Sequence, residues 1–283
     1  MKIYPEYVTQ DRVMQPGQEG SAVDALDFVW KGSRILGQIY VPVHTPGEKH
    51  PLAITLHGFP GYTNNQDLDH ALRRTGFVTV HPFAPGAWGS EGYYTFDGLV
   101  ECAMALLDYC KSDEFAEKYS ICRDNIFFVG HSMGGMTSIN VLKRRDDVKA
   151  GVFLAPFDVA QFFFEGHDAP AELGPLFEEG SILRTPEPYM DFFLKNGEET
   201  KDDLLFMNAV DVLKDRNFLF VGGALDPLAP PATMCEPQYK KAKELGDGSK
   251  KQEYVLINSD HGFNDQRIFL AQTVANYLAD LVE

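Results

Sequence analysis

A serine lies between two glycines at the end of an apolar run, in the segment IFFVGHSMGG of residues 126–135. The letters GHSMG around Ser132 match the pattern G-x-S-x-G, in which a strand turns sharply into a helix and exposes the serine hydroxyl at the turn. Glycines suit that turn because neighbouring side chains would collide within it. The pattern therefore predicts that Ser132 is a nucleophile. The alternative is a glycine-rich helix start that binds an anion such as phosphate.

A serine hydroxyl needs a base to become a nucleophile near neutral pH. Where this pattern serves catalysis, an acidic residue and then a histidine follow the serine, each after a late strand. Asp226 follows the apolar run FLFVGG, and His261 follows YVLIN. We predict that His261 takes the proton of Ser132 and that Asp226 orients His261. Asp260 is poorly placed to orient its own neighbour, and Asp211 precedes the strand.

The other seven histidines fit the role of the base less well. His131 lies inside the pattern around Ser132, and we expect it to point away from the site. His57 belongs to a different motif. The remaining five precede the late strands or lie on surface-like segments: His44, His50, His70, His81 and His167.

The segment HGFPG, residues 57–61, follows the apolar run LAITL and carries the third part of the chemistry. In folds with this nucleophile, one backbone N–H from such a loop and one from the residue after the serine bind the oxyanion of the tetrahedral intermediate. The predicted donors are Phe59 and Met133. Pro60 has no N–H and cannot serve. The alternative is that HGFPG forms only a turn.

Short apolar runs alternate with helical patterns along the chain and predict an α/β fold with a mostly parallel twisted central sheet flanked by helices. The predicted strands cover residues 24–30, 34–41, 52–56, 77–81, 125–130, 150–156, 217–223 and 253–258. The first two of these are predicted to form an antiparallel pair. The predicted helices cover residues 65–75, 97–111, 132–145 and 265–282.

One segment interrupts this alternation. Residues 157–210 separate two predicted strands by far more than a crossover helix needs, which divides the chain into a core of 1–156 and 211–283 and a small cap insertion. The insertion is rich in phenylalanine, and Phe163, Phe193 and the core residue Trp88 are the predicted substrate-binding side chains. The alternatives are an elaborated crossover and aromatic side chains that serve only packing.

Composition limits the partners of the chain. Its 283 residues, 44% of them apolar, fit one large α/β domain or two small ones. The formal net charge of −16 argues against nucleic acid and anionic membranes as partners.

Four cysteines without metal-type or CxxC spacing argue against zinc and disulfides and fit a reducing compartment. No signal peptide or membrane-spanning run is evident, so we expect a cytoplasmic protein, with its oligomeric state left open.

With these residues in hand, the chain resembles the α/β-hydrolase superfamily, and within it small esterases and the catalytic domains of prolyl-oligopeptidase-like and dienelactone-hydrolase-like proteins. The resemblance rests on HGFPG (57–61), WGSEG (88–92), GHSMGG (130–135), GALDPLAP (223–230) and SDHGF (259–263). It leaves only the insertion without a counterpart. Three features depart from these relatives. Dienelactone hydrolases use cysteine where this chain has Ser132, the chain has no residues for a β-propeller, and HGFPG replaces the HGGG of hormone-sensitive-lipase-like esterases.

The resemblance implies a serine hydrolase that cleaves carboxylic esters through an acyl-enzyme, without a metal or organic cofactor. The Phe-rich insertion favours a small-molecule ester with an apolar or aromatic acyl group. The second hypothesis is a peptidase or amidase acting on short peptides or aminoacyl amides, which would want a pair of carboxylates for the free amine. The sequence identifies no such pair among its 41 acidic residues. A third hypothesis, from another class, is a non-catalytic hydrolase-like binding protein.

Overall fold

A computed structural model describes residues 1–62 and 65–283, and within them eight strands form one sheet. In chain order the strands are β1 (Ala22–Trp30), β2 (Ser33–Val41), β3 (His50–Leu56), β4 (Val78–Pro82), β5 (Ile121–His131), β6 (Ala150–Leu154), β7 (Asn217–Gly223) and β8 (Gln252–Ile257). Their order in the sheet is β1-β2-β4-β3-β5-β6-β7-β8. β2 runs antiparallel to both β1 and β4, and the other neighbouring strands are parallel.

Helices cover both faces of this sheet. The ten α-helices within the described residues are α1 (Gln66–Thr75), α2 (Phe96–Lys111), α3 (Asp113–Lys118), α4 (Met133–Arg144), α5 (Ala169–Glu179), α6 (Tyr189–Leu204), α7 (Val210–Leu213), α8 (Pro231–Met234), α9 (Glu236–Leu245) and α10 (Arg267–Ala279). Short 3-10 helices cover Pro5–Val8, Val159–Phe163, Gly180–Ile182 and Phe206–Ala209. α1 and α10 pack on one face, and α2 and α4 pack on the other.

The central strand β5 shows why residues 126–129 are apolar without interruption. Ile126 and Phe128 point into the core beneath α2 and α4, whereas Phe127 and Val129 point into the core beneath α1 and α10. Successive side chains of a strand face opposite sides of the sheet, so a strand covered on both sides is apolar at every position. Each of these side chains is at most 2% exposed, and burial of each contributes about 1.5–3 kcal/mol. The predicted fold class is confirmed.

Every predicted strand is present, with shifted boundaries. β5 begins at Ile121 and continues through His131, four residues earlier and one later than the predicted bounds. β6 ends at Leu154, because Ala155 adopts a φ of 38° and turns the chain out of the sheet. The short helices α3, α7 and α8, together with α9, were not predicted from the sequence.

The insertion packs firmly on the core through aromatic side chains. Phe193 is fully buried, with its ring centroid 5.3 Å from that of Phe59, 5.6 Å from that of Phe96 and 5.0 Å from that of Phe177. We call this group, completed by Tyr94, the aromatic cluster. Because Phe177 and Phe193 come from the insertion and the other three from loops and a helix of the core, the cluster joins the two parts.

A buried carboxyl group joins the two ends of the insertion. Asp158 lies just after β6, is 1% exposed and accepts a hydrogen bond of 3.1 Å from the backbone N–H of Phe206. Its other carboxyl oxygen has no hydrogen-bond partner among the described residues. Burial raises the pKa of Asp158 to about 7 from its ordinary 3.8, since backbone N–H groups only partly offset the lost hydration.

This carboxyl group predicts a pH-dependent stability. The pKa of Asp158 is higher in the folded protein than in the unfolded chain, so protonation of this carboxyl group favours folding. This contribution to the free energy of unfolding is fully present below pH 4 and is lost as pH rises through about 7. Asp158→Asn keeps an acceptor for Phe206 and carries no charge. We expect the variant to exceed the wild type in free energy of unfolding at pH 8 by on the order of 2–4 kcal/mol, and to match it near pH 4.

Urea unfolding at pH 4, 6 and 8 measures this difference. Asp202→Asn, at an exposed position of α6, is the matched control and should show no trend with pH. An Asp158→Asn effect of equal size at all three pH values would contradict the assignment.

Candidate active site

The turn from β5 to α4 isolates a single residue. β5 ends at His131 and α4 begins at Met133, so Ser132 alone makes the turn, with φ 55° and ψ −118°. Such a conformation costs a non-glycine residue about 1–3 kcal/mol and is maintained by surrounding structure. A Cβ atom on Gly130 would lie 2.0 Å from the carbonyl oxygen of Gly134, and one on Gly134 would lie 2.2 Å from the carbonyl oxygen of Leu56. Both glycines of the motif are therefore required by close packing.

The structure brings His261 and Asp226 into direct contact. Asp226 follows β7 by three residues and His261 follows β8 by four, at the same edge of the sheet as Ser132. His261 Nδ1 donates to Asp226 Oδ2 at 2.7 Å, and Asp226 Oδ1 accepts from the N–H groups of Leu228 and Ala229, both at 2.9 Å. With its proton on Nδ1, the imidazole offers Nε2 as the acceptor for a hydroxyl proton.

His131 ties the loop of His261 to the turn at Ser132. Its Nε2 donates to the carbonyl oxygen of His261 at 2.8 Å, and the two rings lie 4.9 Å apart. The expectation that His131 points away from the site is wrong. Among the hydrogen bonds of the described residues, none joins Ser132 Oγ to His261, a contact that in unliganded enzymes often tightens only when substrate binds.

The loop of residues 57–61, here called the oxyanion loop, lies directly against the turn at Ser132. A Cβ atom on Gly58 would lie only 2.9 Å from Ser132 Cβ. Within the described residues, the N–H groups of Phe59 and Met133 donate to no acceptor. Met133 also opens α4, whose N-terminus carries partial positive charge. Two free donors, one from the loop packed against Ser132 and one from the residue that follows it, suit a developing negative charge.

A buried histidine holds the oxyanion loop in place. His57 Nδ1 donates to the carbonyl oxygen of Gly58 at 2.8 Å, and its Nε2 accepts from the N–H of Ala84 at 3.0 Å. Burial lowers the pKa of His57 to about 4, so the ring stays neutral. The Gly58 carbonyl and the Phe59 N–H belong to one planar peptide group and point in opposite directions. Fixing the carbonyl therefore aims the Phe59 N–H, a role that the sequence pattern alone does not reveal.

A cavity of about 390 Å³, here called the His261 cavity, lies beside these residues. Gly58, Phe59 and His131 form its wall on the core side, and α5 of the insertion forms the opposite wall. Its volume falls within the range of sites that bind small molecules. Of the predicted site residues, Phe59 and His261 line the cavity, Asp226 contacts His261, and Ser132 lies against the cavity-lining Gly58.

The comparisons with known proteins agree with this fold. A family model described as "Alpha/beta hydrolase family" matches residues 53–279. The chain belongs to this family. No curated protein matches the sequence of this α/β hydrolase significantly.

Solved structures share the fold at low sequence identity. An esterase from Pyrococcus furiosus superposes with a TM-score of 0.67 at 17% identity, covering 93% of this chain and 92% of its own. Est1E from Butyrivibrio proteoclasticus gives 0.67 at 20% identity, covering 91% and 98%. A puromycin hydrolase gives 0.65 at 18% identity, covering 92% of this chain and 39% of its own, longer chain.

The three predicted substrate-binding side chains of the α/β hydrolase lie outside the His261 cavity. Phe193 belongs to the aromatic cluster, and Phe163 lines a separate cavity of about 480 Å³ together with His167. Trp88 is 43% exposed, and its Nε1 donates to the carbonyl oxygen of Pro60 at 2.9 Å, so it supports the oxyanion loop. The apolar side chains that do line the His261 cavity include Leu176, Pro175 and Leu228.

Three of the four cysteines are buried. Burial raises the pKa of the Cys102 thiol to about 12, and it also raises the pKa values of Cys110 and Cys235, so these thiols stay protonated. The described residues contain no cluster of histidine, cysteine and acidic side chains suited to a metal ion. Among the helices of residues 1–62 and 65–283, none has the length and apolar character needed to cross a bilayer.

Proposed function

We propose that this α/β hydrolase is a serine hydrolase that cleaves carboxylic esters through an acyl-enzyme. The observation that carries the proposal is the 2.7 Å hydrogen bond from His261 Nδ1 to Asp226, in a loop that His131 ties to the turn at Ser132. A base held in one tautomer beside a strained serine is the arrangement that nucleophilic acyl transfer requires.

The first half-reaction transfers the acyl group to the enzyme. Ser132 Oγ attacks the ester carbonyl carbon while His261 Nε2 takes the hydroxyl proton, and Asp226 stabilises the imidazolium that results. The N–H groups of Phe59 and Met133 hold the oxyanion of the tetrahedral intermediate. The bond to the leaving alcohol then breaks, and His261 gives the alcohol its proton.

The second half-reaction regenerates the enzyme. A water molecule gives a proton to His261 Nε2 and attacks the acyl carbon, forming a second tetrahedral intermediate at the same oxyanion site. When the bond to Ser132 Oγ breaks, the carboxylic acid departs and His261 returns the proton to the serine.

The lining of the His261 cavity supports an ester with an apolar acyl group. Leu176 and Pro175 from α5, together with Leu228, give one side of the cavity an apolar surface next to the base. Apolar lining with a few polar groups is typical of sites for small molecules. A peptidase would use the same chemistry on amides, so the substrate is what separates the two hypotheses.

Active-site labelling tests the proposal. Incubation with a fluorophosphonate, followed by peptide mapping, should place the adduct on Ser132, and p-nitrophenyl esters should be hydrolysed faster than aminoacyl p-nitroanilides. Heat-denatured protein is the control and should not be labelled. Hydrolysis of anilides alone would favour the peptidase hypothesis. A folded protein that resists labelling and hydrolyses neither substrate would favour the non-catalytic binding protein.

A further inference from the structure

A cavity of about 260 Å³ lies at the edge of the sheet opposite to Ser132, and we call it the arginine cavity. The residues that line it are Asp11, Arg12, Ser21, Val43, Arg73 and Arg74. They precede the start of β1, follow the end of the antiparallel strand β2 or end α1 just before β4 begins. Ser132 follows the other end of the parallel strands, so the arginine cavity and the His261 cavity share no lining residue.

Two separate segments bring the three arginines together. Arg73 and Arg74 lie in the last turn of α1, where the partial negative charge of a helix C-terminus favours cations. Arg12 belongs to the segment before β1, and aromatic contacts hold it: its guanidinium carbon lies 4.5 Å from the ring centroid of Tyr4 and 5.8 Å from that of Tyr7. The helix end explains two of the three positive charges but not the third.

The arginines are held in place, yet most of their donors are free. Arg74 Nε donates to the carbonyl oxygen of Tyr7 at 3.0 Å, and its Nη2 donates to that of Val8 at 2.6 Å. Within the described residues, Arg74 Nη1 and the guanidinium groups of Arg12 and Arg73 donate no hydrogen bond. All three side chains are half-buried. A ligand in the cavity would therefore meet donors that are already positioned.

No carboxylate of the described residues neutralises these charges. Five of the ten arginines form ion pairs within residues 1–62 and 65–283: Arg34, Arg123, Arg144, Arg145 and Arg267. The three arginines of the cavity are not among them, although acidic residues outnumber basic ones by 41 to 25. Asp11 is the one acidic residue of the described lining, and it is exposed and forms no ion pair with them. Three positive charges thus face one negative charge.

This crowding of like charges has a cost in the unliganded protein. Burial, and after it the positive charge of Arg74, lower the pKa of the Arg73 guanidinium, which means that both disfavour its charged form. A guanidinium nevertheless stays protonated near neutral pH. An anion placed between the arginines would offset the repulsion and replace the lost hydration.

The donors and the size of the cavity indicate which anion fits. Planar guanidinium groups match the oxygens of a phosphate group, which they bind through paired hydrogen bonds. The Ser21 hydroxyl on the cavity wall adds a further donor. Three positive charges against one negative charge balance a dianion better than a single carboxylate. The volume lies just below the range of sites for drug-sized molecules, so the ligand is small.

We propose that the arginine cavity binds a phosphate group, either free or at the end of a small phosphorylated molecule, with Arg12, Arg73 and Arg74 as its donors. This site is separate from the one around Ser132, and its existence does not depend on the function proposed there.

Isothermal titration calorimetry of the full chain with inorganic phosphate and with phenyl phosphate tests the proposal. At low ionic strength we expect saturable binding to the wild type, and added sodium chloride should weaken it. Arg73→Gln should weaken binding about tenfold, because a hydrogen bond to a charged group contributes about that factor. Arg12→Gln/Arg73→Gln should weaken binding further, beyond the millimolar range. Circular dichroism confirms that each variant is folded.

The matched control is Arg184→Gln/Lys243→Gln. Both residues are exposed, lie outside the cavity and form no ion pair within the described residues, so this variant removes the same net charge elsewhere. It should bind phosphate as the wild type does.

Sedimentation with vesicles distinguishes a soluble ligand from a lipid headgroup. Binding of the two soluble phosphates, with no more protein on vesicles containing phosphatidic acid than on those of phosphatidylcholine alone, supports the proposal. Binding to phosphatidic acid alone overturns the soluble ligand in favour of a lipid. A wild type that binds no probe, or an Arg12→Gln/Arg73→Gln variant that binds as tightly as the wild type, overturns the site itself.

Discussion

Ser132→Ala should lower kcat for ester hydrolysis by about 10⁵–10⁶-fold, because the acyl-enzyme cannot form without the hydroxyl. The free donors of Phe59 and Met133 remain, so a small residual rate above that of water is expected. Stability should change by less than about 1 kcal/mol, since alanine has the same strain at φ 55° and the serine hydroxyl has no hydrogen-bond partner among the described residues.

Steady-state kinetics with a p-nitrophenyl ester measures the loss, and urea unfolding measures the stability. Ser181→Ala, at an exposed position of the insertion, is the control for expression and purification and should retain full activity. If Ser132→Ala keeps more than a few per cent of wild-type turnover, the nucleophile lies elsewhere.

Asp226→Asn should lower kcat by about 10⁴-fold at pH 7. The N–H groups of Leu228 and Ala229 would hold the amide oxygen of the new side chain, which turns its NH₂ group toward His261 Nδ1. An NH₂ group can only donate there, so the imidazole would carry its proton on Nε2. That tautomer cannot accept the proton of Ser132, although the residues stay in place.

The comparison that decides this prediction is Asp260→Asn. Asp260 adjoins His261 in sequence, but its carboxylate binds the backbone N–H and side-chain amide of Asn264 and does not contact the imidazole. We expect nearly wild-type kcat for this variant. A greater loss for Asp260→Asn than for Asp226→Asn would reassign the acid.

The predictable parts of the molecule are those determined by short, contiguous stretches of sequence. The turn at Ser132 needs an apolar strand, two glycines and a helix start, and all of these lie within ten consecutive residues. Asp226 and His261 each follow a strand that ends in a loop, and the parallel direction of these strands places such loops at one edge of the sheet.

The rest depends on contacts between distant segments. The sequence shows that the insertion is rich in phenylalanine, but only the folded chain reveals that Phe193 contacts Phe59 and Phe177. His57 and His131 form hydrogen bonds with backbone atoms, so the types of the residues that they contact give no indication of these bonds in the sequence.

Phe59 contacts both parts of the molecule: its N–H belongs to the oxyanion loop that packs against the turn at Ser132, and its ring packs against Phe177 and Phe193 of the insertion. An outward swing of α5 and α6 would pull on that ring and displace the N–H that the reaction needs. Under the proposed mechanism we therefore expect the insertion to stay packed on the core during turnover, because a hinged opening would disturb the proposed oxyanion donor. Substrates are then expected to enter the His261 cavity as it stands, between the oxyanion loop and α5.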